Sequence, residues 1–545
     1  MIDGLKINEK LKRDYYDKGL WGTETLADAW NTATALHGPK TYITDDQGSS
    51  YTYAEIDEKA ARLASWLREA GVEVGDVVSF QMPKWAEFCI IYIACLKVGA
   101  VMYPISINCG EQEIVYALNK AKASVFICPT TYRGISVENI FLRAEVQIPS
   151  LRATLFVDRE VPTMYESYPM LSWVLENYEP YTGPAGSASD DVACILTTSG
   201  TTGPPKLVLT THNTILFSER SYLSPLGLTS EDIMWMPSPL NHATGFFHGM
   251  ISVMLLGGST VLQQEYSASE AIDLLNQYGC TWSHGATPFI YDLLCSLDAT
   301  TEELSTLRLF LCGGAPVPSR LVQHANNYGI LLCESYGSTE SCPHIYVPPE
   351  HCVEWNGAWS GIPYEHIEVR VVDENRNPVP AGVQGEEASR GPHMFVGYLD
   401  DEERTNKALD DDGWFYSGDL CYMDEQGRVR INGRKKEIII RGGKNISAHE
   451  IDELLSGCPG IGSLATIGMP DERLGERICT FAVPCGKRPT LEEVIEYLDS
   501  IGVPKKLRPE RLEFIDKIPL TATGKVKRYE LAKELLLRMT NSEGE

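Results

Sequence analysis

The stretch ILTTSGTTGPPKLVLTTHN, residues 195–213, sets a hydroxyl- and glycine-rich turn and one lysine between two apolar runs. A Walker loop needs a Gly before its Lys and a Ser or Thr after it; here Lys206 follows Pro204 and Pro205 and precedes Leu207, so that pattern fails. The chemistry of an anion cradle is nevertheless present. Gly200 and Gly203 let backbone N–H groups turn inward, while Thr197, Thr198, Ser199, Thr201 and Thr202 add hydroxyl donors beside the Lys206 ammonium. A polar hairpin turn with no ligand is the competing reading of the same residues.

Outward from this stretch, apolar runs such as DVVSF (76–80), SVFIC (124–128) and ATLFV (153–157) alternate with helical patterns such as YAEIDEKAARLASWLREAG (53–71). That alternation predicts an α/β protein with largely parallel sheets. The apolar segment FCIIYIACLKVGAVMYPI (88–105) is interrupted by Lys97, Gly99 and Pro104 and is too short and broken for a membrane span, so it reads as a buried helix followed by a strand. Between 364 and 440 short strands with turns predict a β-rich subdomain that runs to a boundary near 434–436. Beyond it the pattern reads helix (448–456), strands (464–468 and 478–484) and helices (490–500 and 528–539), a small α+β unit.

A chain of 545 residues with 43% hydrophobic and 22% charged residues and no long biased tract is a multidomain globular protein of enzyme size. The net charge of −27 argues against nucleic acid as a partner. Its distribution is uneven: residues from Lys436 onward carry 17 Lys+Arg against 18 Asp+Glu, a net of −1, which leaves −26 on the first 435. In the near-neutral part, GRKKEIIIRGGK (433–444), KKLRPER (505–511) and GKVKR (524–528) concentrate positive charge where small anions could be met. Fifteen cysteines without a CxxC pair, and no amino-terminal signal pattern, favour a reducing cytoplasmic setting over a secreted disulfide framework. No HExxH or Cys/His cluster suggests zinc.

TTSGTTGPPK resembles the phosphate loop of the adenylate-forming superfamily of acyl- and aryl-CoA synthetases, luciferases and peptide-synthetase adenylation domains. Six further signatures follow in the family's order: PSPLNHATGF (237–246), LCGGAPVP (311–318), ESYGSTES (334–341), GWFYSGDL (413–420), GRKKEIIIRGGKNIS (433–447) and PLTATGKVKR (519–528). The resemblance implies the adenylate-forming enzyme fold. A large N-terminal domain (1–434) of α/β subdomains plus a β-rich subdomain would hold the acyl and ATP sites. A small mobile α+β C-terminal domain (435–545) would turn on a hinge at Lys436, where many relatives have Asp.

It also implies roles. Lys525 is the expected catalytic lysine, which reaches the carboxylate and the α-phosphate; Lys527 and Arg528 are read as surface or ligand-rim charges. Thr197–Gly203 and Lys206 would cradle phosphates, Tyr336 would lie on adenine with Gly337 beside it, and Thr339 would sit near the α-phosphate. Gly313, Gly314 and Ala315 would form the wall beside adenine. Glu340 and Thr198 are the expected Mg²⁺ ligands, Asp419 and Arg434 the expected ribose partners. His242 would line the acyl pocket near the carboxylate, and after rotation Gly443 would leave room for pantetheine, with Arg441 and Lys444 near CoA phosphates. His248 and His284 receive no role. Because the chain ends about twenty residues after Lys525, free coenzyme A is expected as the acceptor rather than an attached carrier.

In detail, LWGTETLADAW (20–30), GATPFIYDLL (285–294), RLFLCGG (308–314), GEEASRGPHMFVGYLD (385–400) and ERLGER (472–477) look most like bacterial short- or medium-chain fatty acyl-CoA synthetases, with cyclohexanecarboxylate-CoA ligases close behind. Gly245 and Gly285 stand at pocket positions, where they leave space for an aliphatic chain or ring or else serve backbone turns. An alicyclic or aromatic acid is the alternative substrate class. A non-catalytic acyl- or nucleotide-binding protein on the same scaffold is the alternative of another kind, disfavoured by the joint presence of Glu340, Asp419, Arg434 and Lys525.

Overall fold

The computed structural model describes residues 2, 4–159, 168–198, 205–300, 303–304, 306–314, 317–442, 444–521 and 524–542. The α/β expectation holds. Strands Val101–Pro104, Val77–Phe80, Val125–Pro129 and Ala153–Val157 are parallel members of a six-stranded sheet, whose far edge is the antiparallel pair Val192–Thr198 and Lys206–Thr211. A nine-stranded sheet lies beside it, with Trp282–Ala286, Leu309–Gly313 and Leu331–Ser338 parallel at its centre. The segment 88–105 is the expected helix and strand: Glu87–Lys97 is buried from Glu87 to Leu96, as an all-round apolar helix must be, and Lys97 in its last turn pairs with Asp57 at 2.6 Å. Among the described residues no helix is long and apolar enough to cross a membrane.

The β-rich stretch is a four-stranded antiparallel sheet, Glu368–Val372, Gly385–Arg390, Phe415–Met423 and Val429–Arg434, in sequence order. Its last pairing sets Asp419 opposite Arg434. From residue 438 onward a five-stranded sheet takes over, with hydrophobic clusters of its own built on Ile439, Ile451, Ile478 and Leu498 and on Phe481, Leu531 and Leu535.

Two extents differ from the sequence reading here. The strands expected at 464–468 and 478–484 are the longer arms Ile461–Asp471 and Gly475–Pro484 of one hairpin. Charges and Pro470 in GMPDERLGER mask its tip, where Asp471 accepts from the N–H groups of Arg473 and Leu474 at 3.0 and 2.8 Å. The short strands Lys444–Ser447 and Arg511–Phe514 were not anticipated, because each is too short to show a period.

Candidate active site

The hairpin that opens the sequence reading ends in the pair Thr198 and Lys206, directly opposite one another. Ser199, Gly200, Thr201, Thr202 and Gly203 lie outside the described residues, as do Ala315 and Gly443. Thr197 shares a hydrogen bond with Tyr103 at 3.0 Å. Thr198 Oγ1 is buried without a partner among the described residues.

Lys206 Nζ donates to Glu340 Oε1 at 2.7 Å and to Tyr398 at 2.7 Å, and the Tyr398 hydroxyl donates to the same Glu340 oxygen at 2.8 Å. Tyr398 arrives there because residues 395–399 run beside strand Lys206–Thr211 through an isolated antiparallel bridge: Val396 N–H bonds Leu209 O, Leu399 N–H bonds Leu207 O, and Phe395 N–H bonds the Glu340 carbonyl. Burial alone would raise the Glu340 carboxyl, but the Lys206 ammonium and the Tyr398 hydroxyl outweigh it and hold the group below the ordinary glutamate value. Thr339, next in sequence, is buried.

Around the expected nucleoside, the Tyr336 hydroxyl donates to Asp419 Oδ2 at 2.8 Å. Arg434 Nε lies 3.2 Å from Asp419 Oδ1, yet that oxygen accepts no aligned hydrogen bond and is buried. A buried acceptor left open beside a cation is suited to a hydroxyl donor. Burial raises the Asp419 carboxyl above its ordinary value, and the Arg434 guanidinium only partly offsets this. Gly313 and Gly314 close one side. A Cβ on Gly313 would sit 2.9 Å from Ser335 O, and Gly314 has φ +90° with the Lys525 side chain 3.4 Å from its missing Cβ. Gly337 is required by its own strand, since a Cβ there would fall 1.9 Å from the Cys342 carbonyl oxygen.

Lys525 reaches this cleft from the C-terminal part of the chain. Burial and then the Arg434 guanidinium lower its ammonium from the ordinary lysine value, against the pull of Asp419, Glu340 and Glu437. Adjacent Gly524 packs with its Cα face on Ala286 and Pro288. His242 faces Lys525: burial first, then that ammonium and His248, push the imidazole down to about 3, so it is neutral. The Thr244 N–H donates to His242 Nδ1 at 3.3 Å, which leaves the ring proton on Nε2.

The sequence reading missed Tyr398, whose only signal was its place in MFVGYLD. It also assigned nothing to His248 and His284, whose rings stack at 4.9 Å behind Gly313. His248 Nδ1 pairs with buried Glu219 at 2.8 Å, and His284 Nδ1 bonds the Tyr222 hydroxyl at 2.9 Å, so the two imidazoles belong to an internal polar network.

Two open alternatives are decided and two other expectations change. Gly245 opens no space, because a Cβ would fall 2.1 Å from Pro239 O; at Gly285 the Phe289 ring fills the position at 2.9 Å. Arg528 is not a rim charge but a tie that joins Glu437 at 2.9 Å and Asp452 at 2.6 Å. Arg441 is engaged by Glu510 at 2.6 Å, whereas Lys444 is exposed. Among the described residues no group of three His, Cys, Asp or Glu side chains could hold a metal. A Mg²⁺ site needs less, since that ion keeps several waters and leans on phosphate oxygens. The Glu340 carboxylate and the unpartnered Thr198 hydroxyl fit such an ion.

Residues 27–399 match the family model described as AMP-binding enzyme, and residues 450–525 match AMP-binding enzyme C-terminal domain. The chain is 42% identical over 540 residues to the medium-chain fatty-acid–CoA ligase of Escherichia coli K12, which covers 98% of this chain and 95% of that protein. ATP-bound MatB from Rhodopseudomonas palustris superimposes with a TM-score of 0.83 at 27% identity, over 93% of this chain and 98% of MatB. The anthranilate CoA ligase AuaEII, in complex with anthranoyl-AMP, shares the fold with a TM-score of 0.87 at 22% identity, over 95% of this chain and 98% of that one.

Proposed function

Because this chain belongs to the AMP-binding enzyme family, we propose that it is an AMP-forming acid–CoA ligase that activates a medium-chain fatty acid. Acid and ATP give acyl-AMP and pyrophosphate; CoA then takes the acyl group and AMP leaves. The single observation that carries this reading is the meeting of Lys525, Glu340 and the Asp419–Arg434 pair around one cleft, although they come from distant parts of the chain. The 42% identity to a medium-chain fatty-acid–CoA ligase supports the choice of acid.

In the first step a carboxylate oxygen attacks the α-phosphorus and the bond to the pyrophosphate oxygen breaks. Both reactants are anions, so the step needs fixed positive charge at the reacting atoms. Lys525 supplies it as an ammonium, and His242 offers an Nε2–H donor to the carboxylate. The open Oδ1 of Asp419 accepts from a ribose hydroxyl, with Arg434 beside it, and Tyr336 with the Gly313–Gly314 wall flanks the adenine. Lys206 and the threonine-rich loop hold the outgoing phosphates. Mg²⁺, held by Glu340 and Thr198, would offset the phosphate charge when bound.

The second step requires Lys525 to leave so that a thiol can enter. We assign this to rotation of residues 435–545 about Lys436, an exposed residue in the turn Lys435–Glu437. Rotation brings the Gly443 region towards the acyl-adenylate, where the thiolate attacks the acyl carbonyl carbon and AMP departs with the bonding electrons of the mixed anhydride.

The test is to follow pyrophosphate release without CoA for octanoate, shorter and longer acids, benzoate and cyclohexanecarboxylate. Formation of ADP would exclude the chemistry, and a cyclic acid as the best substrate would replace the acid assignment. Lys525→Ala is expected to slow adenylation by roughly 10²–10³-fold, the loss of one preorganised charge at a developing anion. Thioester formation from supplied octanoyl-AMP should persist. Equal loss in both steps contradicts the rotation.

A further inference from the structure

Glu340 uses its two oxygens unequally. Oε1 receives both the Lys206 ammonium and the Tyr398 hydroxyl, at 2.7 and 2.8 Å, while Oε2 accepts no side-chain hydrogen bond among the described residues. Thr198, whose buried hydroxyl also lacks a partner, stands directly across the hairpin from Lys206. Among the described residues, Thr198 Oγ1 and Glu340 Oε2 thus accept no side-chain hydrogen bond, while the carboxylate is anchored through its other oxygen.

This arrangement poses a problem for the proposed reaction, on which the inference rests. A triphosphate draws Lys206 towards its own charge, because an ammonium between one carboxylate and several phosphate oxygens follows the larger anion. Glu340, with a side chain only 8% exposed, would then lose the one ammonium that hydrogen-bonds it among the described residues, leaving Arg434 and Lys525 to act on it at longer range. A buried carboxylate stripped of its partner rotates or takes up a proton, and either change spoils it as a ligand.

We propose that Tyr398 is a positioning residue that keeps Glu340 Oε1 anchored when Lys206 leaves, so that Oε2 stays directed at an incoming divalent cation. The backbone around Tyr398 suits this role. Its N–H donates to Thr405 Oγ1 at 2.9 Å, Leu209 and Leu207 clamp the flanking residues, and the Glu340 carbonyl is itself held by Phe395 N–H at 2.9 Å. The tyrosine and the glutamate are thus fixed to each other through main chain, independently of Lys206. Lys206 is the exchangeable member of the trio and Tyr398 the permanent one.

The experiment titrates Mn²⁺ into the full-length protein by electron paramagnetic resonance in the presence of α,β-methylene-ATP, for the wild type, Tyr398→Phe and Glu340→Gln. Tyr398→Phe keeps the ring and removes only the hydroxyl. Its Mn²⁺ affinity is expected to fall by about tenfold or more, the usual cost of losing a group that orients a metal ligand. Thioester formation from supplied octanoyl-AMP and CoA, which involves no phosphate transfer, should be unchanged, and that retained activity certifies the fold. Unaltered Mn²⁺ affinity in Tyr398→Phe overturns the inference, as does equal loss in adenylation and thioester formation. A wild type that binds no Mn²⁺ with the nucleotide analogue would instead overturn the ATP reading itself.

Discussion

Lys525, the proposed catalytic lysine, illustrates how neighbours set the charge of a side chain. Its ammonium is partly buried next to the Arg434 guanidinium, and both effects lower it from the ordinary lysine value of 10.5, while Asp419, Glu340 and Glu437 pull it back. The sign follows directly: a lowered lysine loses its proton earlier as pH rises, so the charged form that adenylation needs disappears sooner. In the free enzyme this appears in kcat/KM for ATP. Pyrophosphate release without CoA should show an alkaline limb centred below 10.5. Arg434→Gln removes one of the two depressing influences, so the limb should move to higher pH. A limb that stays in place or moves down would show that Arg434 does not tune Lys525. The residue types at these positions could be assigned from sequence because the motifs carry them as fixed letters; their mutual electrostatics could not, since Arg434 and Lys525 are 91 positions apart.

Elements explain glycines that motifs alone leave ambiguous. Gly337 was placed among nucleotide-contacting residues by resemblance, yet its strand imposes a stricter demand: the return strand Cys342–Tyr346 brings the Cys342 carbonyl to within 1.9 Å of any Cβ. Because that oxygen belongs to the backbone, Gly337→Ala cannot be relieved by a rotamer change. It should cost about 1–3 kcal/mol or more, visible as a fall in thermal midpoint, together with weaker adenylation because Thr339 and Glu340 follow in the same turn. An unchanged midpoint would show that the strands part easily. A backbone carbonyl, that of Pro239, likewise decides Gly245, whereas at Gly285 it is the Phe289 side-chain ring that fills the position; at both the sequence allowed either open pocket or tight backbone, and packing selects closeness. The long hairpin 461–484 was only half visible because its tip is charged, and polar letters hide strand from any test of hydrophobic period.

Across the whole molecule, several groups besides Lys525 join residues up to 434 to those from 438 onward, Gly524 against Ala286 and Pro288 and Gly433 against Ser447 and His449 among them. Ser447 donates to Asn432 O at 2.6 Å, and Glu453 on helix Ala448–Leu455 pairs with Arg430 on strand Val429–Arg434. Arg430 would not be stranded by rotation, since it also donates to Gly357 O at 2.8 Å and lies 3.8 Å from Glu334. Glu453 therefore biases the arrangement that holds Lys525 in place at little cost to leaving it. A partly exposed ion pair is worth about 0.5–1 kcal/mol, so Glu453→Gln should lower the ratio of adenylation to thioester rate by roughly 2–5-fold. Equal rates of change in the two half-reactions would show that this pair does not bias the arrangement. The Arg528 tie joins Glu437, at the end of the turn Lys435–Glu437, to Asp452 on helix Ala448–Leu455, so the proposed hinge rotation would fall to the residues just before Glu437.

The alternation of strands and helices, the order of the seven motifs and the residue types Lys525, Glu340, Asp419 and Arg434 that they carry could all be read from the linear chain. Each is written in a few neighbouring letters, and local period and side-chain type survive without knowledge of the path between them. The tertiary structure alone decided that Tyr398, 58 residues from Glu340 and 192 from Lys206, completes their hydrogen-bonded trio, and that Arg528 turns inward. Such contacts depend on which distant backbones run side by side, and a hydrogen bond is made or lost over less than an ångström.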